Sequence, residues 1–152
     1  MNTEMKSKLR KGAVKTGVIN AIINIVIQYF LLRGKATIPI SVDSITNTTE
    51  TVLGTAVMLA ITLSVILTFI AYFSIKEKKM SFFPNTVLLA LKNGFVTFGI
   101  LTSLAVLWQK YMGTVAVSLV VGIIIIGVIA GLVSGFVNYL TLKESIISEE
   151  KK

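Results

Sequence analysis

The chain has 152 residues, of which 54% are hydrophobic and only 14% charged, with a net charge of +8. Mean hydropathy is +0.84, whereas a soluble domain carries about 25% charge; the composition points to an integral membrane protein with little mass outside the bilayer. There is no cysteine and no histidine, which excludes disulfides, thiol redox chemistry and thiolate metal sites, and removes the usual general base.

A short basic lead, MNTEMKSKLRKG, precedes the first apolar run over residues 14–32. That run is too long for a signal-peptide core, and no small-x-small cleavage pattern follows it, so it reads as a retained span. Further apolar runs cover residues 51–75, 86–108 and 114–142. About 20 apolar residues suffice to cross a hydrocarbon core of ~30 Å, and runs of this length exclude a barrel built from alternating segments of ~10 residues. The last run would be about 42 Å long as a helix, so it must tilt or project beyond the membrane. The expected fold is all-α: one membrane domain over residues 1–152, a four-helix bundle of two parallel transmembrane hairpins.

The connections differ in character. The outer loop, 33–50, is rich in Ser and Thr, and Pro39 breaks any helix there. It carries a formal glycosylation sequon at Asn47-Thr48-Thr49, a triplet common by chance, and the acids Asp43 and Glu50, whose spacing is weak evidence for a cation site. The loop 76–85 is short and basic and ends at Pro84-Asn85, with Asn85 placed to cap the third helix. A charged tail covers 143–152. With both termini and the loop 76–85 on one side, that side holds twelve Lys and Arg and the other three. The positive-inside bias therefore places both termini in the cytoplasm, and the chain reads as a multi-pass protein of a bacterial inner membrane. Tyr29, Phe30, Trp108 and Tyr111 fall near one boundary, and Tyr72, Phe73, Phe82, Phe83 and Tyr139 near the other, as interfacial aromatic belts do. The basic residues flank spans without a binding motif, which argues against nucleic acid and for contact with anionic lipid headgroups.

A faint repeat accompanies the two hairpins. Lys15-Thr16-Gly17 matches Lys92-Asn93-Gly94, and the stretch from Tyr72 to Glu77 matches that from Tyr139 to Glu144.

Helix faces supply the candidate functional residues. In the first span Asn20, Asn24 and Gln28 fall with Gly17 on an arc of roughly 80°, at about 100° per residue. In the fourth, Gly127, Gly131 and Gly135 form two overlapping small-xxx-small units, with Asn138 and Ser134 on the same face. Ala56, Ala60 and Ser64 make a comparable stripe in the second span. Small residues let helices approach, and amides then bond across the contact. Gly17, Ala56, Ala60, Ser64, Gly127, Gly131 and Gly135 are thus the expected packing residues. Asn20, Asn24, Gln28, Asn138 and Lys92 form either an interhelical amide network or a polar path, although a lysine near a helix end usually snorkels to the interface.

All seven acids lie outside the spans or at their edges, whereas coupled transport generally needs an ionisable group at depth. No nucleophile–base pair is readable, so an enzyme is not expected, and neither a cofactor nor a metal. The reading is a non-enzymatic membrane protein acting through helix packing, as a homo-oligomer or with a membrane partner protein. The alternatives are a small uncoupled channel or carrier along the amides, and a sensor whose outer loop binds a ligand.

Overall fold

A computed structural model describes residues 3–42, 50–74 and 80–147. The sequon at Asn47, the acid Asp43, the lysines at 76–79 and the end of the charged tail lie outside these described residues. Four helices dominate: α1 (Thr3–Leu32), α2 (Val52–Ser74), α3 (Val87–Met112) and α4 (Leu119–Ile147). All four are long and apolar enough to cross a membrane. Two four-residue strands, β1 (Thr37–Ile40) and β2 (Val115–Ser118), pair antiparallel with Ile38 opposite Val117. The α1–α2 and α3–α4 connections therefore meet at one end of the bundle.

The ends of the elements have local causes. Gly34, at φ 100°, turns the chain out of α1, and Gly113, at φ 68°, ends α3 with its N–H on the Gln109 carbonyl at 3.2 Å. These positive φ values are ones that side chains rarely adopt. Thr51 caps α2: its hydroxyl oxygen accepts the Gly54 N–H at 3.1 Å and its O–H donates to the Ser41 carbonyl at 2.8 Å. At the opposite end, a turn over Phe82–Thr86, with Phe83 extended at φ −113° and ψ 134°, leads into α3. Asn85 lies exposed within this turn rather than at the cap, and Thr86 instead donates to the Ser81 carbonyl at 3.0 Å. Phe82 packs among Phe69, Tyr72 and Phe73, with ring centroids 5.8–5.9 Å away.

Three boundaries differ from the sequence expectation. Helix α1 starts at Thr3, so the basic lead is helical, and α4 continues to Ile147 into the expected tail. Residues 115–118, expected as helix, form β2 instead, because a short apolar run carries no period that separates strand from helix; pairing with β1 decides it.

The main packing pairs are α1 against α4, α4 against α2 and α2 against α3, with α3 and α4 meeting over a small contact. A two-fold pattern relates the halves: α1 packs on α4 as α3 packs on α2, and β1 mates with β2. The core has two centres. Leu32, Ile38, Ile40, Val52, Ile123 and Ile126 gather beneath the strands. Ala60, Leu67, Val133 and Val137 hold α2 to α4. Many large apolar side chains stay exposed, including Ile22, Phe95 and Leu132, as expected of faces covered by lipid.

Gly122 marks the tightest point under the strands. A Cβ built there would strike the fully buried Ile38 and come within 3.3 Å of Val52. Gly122→Ala is expected to lift β1 from α4 and cost about 1 kcal/mol, read as a lower melting temperature in detergent.

Candidate functional site

Two contacts gather the polar and small residues. The first is the α1–α4 seam. A Cβ on Gly17 would lie 2.8 Å from the Gly131 carbonyl oxygen, and one on Gly131 would lie 2.8 Å from that of Gly17. Above this crossing Gly127 meets Ile25 and the Ala21 carbonyl, and below it Gly135 meets the Ala13 carbonyl at 3.0 Å. The two backbones touch because neither side presents a side chain. Such close approach drives helix association in hydrocarbon, where burial alone supplies no drive.

The amides of α1, for which the sequence left open an interhelical network or a polar path, lie along this seam, and the bonds that Asn20 and Asn24 donate stay within α1. Asn20 Nδ2 donates to the Thr16 carbonyl at 3.0 Å, and Asn24 Nδ2 to the Asn20 carbonyl at 2.9 Å. Asn20 and Asn24 thus each donate to their own helix one turn back, while Asn24 and Gln28 are buried. Asn138 faces the α1 backbone at Gly12, 3.9 Å from a Cβ built there.

The second contact is a polar node between α2, α3 and α4, centred on Asn93, which is 1% exposed. Its Nδ2 donates to Thr68 Oγ1 at 3.0 Å and Thr141 Oγ1 at 3.2 Å, tying three helices together. One turn further, Ser64 Oγ and Thr97 Oγ1 lie 2.7 Å apart. Thr68 and Thr97 also donate to carbonyls of their own helices. Among the described residues Asn93 Oδ1, Ser134 Oγ and Asn138 Oδ1 are buried without a partner. The two-fold pattern relates node and seam. Matching Tyr72 with Tyr139 sets Ser64 where Gly131 stands, and matching Gly17 with Gly94 sets Thr97 where Asn20 stands. The seam closes on glycines and the node on hydroxyls.

The remaining expected residues divide between these contacts. Ala60 packs toward α4 while Ser64 bonds to α3. Ala56 backs an apolar cleft of about 520 Å³ between α3 and α4, also lined by Ile100, Leu104, Trp108, Leu132 and Phe136. Lys92 stands apart from the α1 amides, exposed at the start of α3, with Nζ 3.6 Å from Glu144 Oε1. In the sequence Asn93 stands out only as part of the repeat. Its signal was an amide in an apolar span with hydroxyls on the helices before and after it, but which helices are neighbours cannot be read from one sequence. Among the described residues no three carboxylates come together to hold a metal ion. No family model, curated protein or solved structure matches the chain.

Proposed function

We propose that the protein is a non-enzymatic, multi-pass protein of a bacterial inner membrane, with both termini in the cytoplasm, that works through helix packing as an oligomer or accessory subunit. The observation that carries this reading is the α1–α4 seam, where Gly17 and Gly131 are in backbone contact and the neighbouring amides bond to their own helix. A hydrated path would need those amides turned toward water. The twelve-to-three division of Lys and Arg supports the orientation.

A second reading, a small uncoupled channel or carrier, draws on the unpaired Asn93 Oδ1 in the three-helix node. Liposomes test the two. Under the packing reading, vesicles holding the purified protein stay as tight to small ions and polar solutes as empty ones. The double variant Asn20→Leu/Asn24→Leu then loses less than about 1 kcal/mol of detergent stability, since no interhelical bond is removed. A flux that appears with the wild-type protein and disappears in Asn93→Leu establishes the carrier reading instead.

A further inference from the structure

The groove between α3 and α4 changes character along its length. Lys92, Val96, Ile100, Leu104 and Trp108 follow one another at four-residue spacing on α3, and Leu132, Phe136, Leu140 and Glu144 do so on α4. Residues four apart form a continuous ridge on a helix. Ile100, Leu104 and Trp108 of the first ridge and Leu132 and Phe136 of the second line the 520 Å³ cleft, which extends about 16 Å along α3 from Thr97 to Trp108. The charged members line a separate pocket of about 360 Å³ at the start of α3, together with Met80, Asn85, Leu88 and Leu89. There Lys92 Nζ and Glu144 Oε1 form a loose ion pair at 3.6 Å, with side chains 63% and 46% exposed. One cation and one anion thus sit side by side at the level where a span leaves the hydrocarbon, at the foot of an apolar slot open to the bilayer.

We propose that this groove binds a zwitterionic aminophospholipid: the phosphate on Lys92, the primary ammonium on Glu144, and one acyl chain in the cleft beside Ile100, Leu104 and Phe136. Charge complementarity selects the headgroup. A purely anionic lipid would meet the Glu144 carboxylate with like charge, and a choline headgroup has no N–H to donate to it. The lysine in the pocket positions the phosphate, as basic side chains between spans do for lipid heads. The cleft suits a linear chain, since its walls are aliphatic and aromatic side chains and it opens sideways to lipid.

The inference rests on the membrane reading but not on the packing role. Membranes containing the full-length protein are first washed with alkaline carbonate, which releases a protein that does not span the bilayer; release overturns the membrane reading itself. Retained protein is then purified in detergent. It is offered equal amounts of phosphatidylethanolamine, phosphatidylcholine and phosphatidylglycerol with identical chains, and bound lipid is counted by native mass spectrometry. The ethanolamine lipid is expected to be favoured about fivefold over each competitor. Glu144→Gln is expected to abolish that preference, and Lys92→Gln and Ile100→Trp each to lower the occupancy of all three lipids. Circular dichroism and elution volume show that each variant remains folded. Equal occupancy by the three lipids, or a preference that survives Glu144→Gln, overturns the proposal while leaving the membrane reading intact.

Discussion

Gly131→Leu is expected to undock α1 from the rest of the protein, at a cost of about 3 kcal/mol, the upper end of what overpacking does. Even the first carbon of the new side chain would lie 2.8 Å from the Gly17 carbonyl oxygen and 2.9 Å from the Ala21 Cβ. The backbone at Gly17 cannot rotate away as a flexible side chain would, so the helices must separate. Separation removes most of what holds α1, whose packing partner is α4. The chain has no cysteine, so two introduced cysteines can carry spin labels on exposed positions of α1 and α4, without background. The label distance should lengthen and broaden in Gly131→Leu, and the detergent unfolding midpoint should fall. Gly99→Ala is the matched control: a Cβ at Gly99 meets nothing within 4 Å, so replacing a helical glycine there should be neutral or slightly stabilising. Equal behaviour of the two variants would show that glycine content, not the α1–α4 contact, matters.

The difference between these two glycines marks the boundary of what a single sequence discloses. Four-residue spacing makes the stripe Gly127, Gly131 and Gly135 visible, because helical period is a local property. It also sets Gly17 on the face of α1 that carries the amides. Gly99, in contrast, looks as able to pack as Gly131, and only the arrangement of helices shows open space around it. Asn20 and Asn24 raise the same difficulty. Their shared face follows from spacing, but a carbonyl one turn back competes with any neighbouring helix for each Nδ2, and here it wins. Strands β1 and β2 were illegible because four residues are too few to show a period, and what stabilises them is their pairing across more than 70 residues of chain. Asn93 was hidden for the same reason, since its partners Thr68 and Thr141 belong to two other helices.

The node around Asn93 is where a hydrogen-bonding group and a charge can be told apart, and Asn93→Asp is expected to cost about 3 kcal/mol, the scale for an aspartate placed within a span. The variant deletes both N–H donors that reach Thr68 and Thr141. The Thr68 hydroxyl, which donates to the Ser64 carbonyl at 2.7 Å, must give up that bond to serve the new carboxylate. Asn93→Leu makes a smaller change. Two interhelical bonds in a membrane protein contribute about 0.6 kcal/mol each, and leucine also removes a carbonyl oxygen that has no partner among the described residues. The two effects oppose, and a net loss of about 1 kcal/mol or less is expected. Unfolding by a graded detergent mixture should therefore rank wild type and Asn93→Leu close together, with Asn93→Asp well below. If Asn93→Asp is as stable as wild type at about pH 10, where protonation no longer neutralises a buried carboxyl, water reaches the node, because hydration is then what relieves the charge at that depth. The α2–α3–α4 junction would then be a wet path rather than a dry joint, and the carrier reading would replace the packing one. A large gap between the aspartate and leucine variants ties the node to helix association and places the buried hydroxyls of Ser64, Thr68, Thr97 and Thr141 alongside the glycines of the α1–α4 seam, as two solutions to one packing problem.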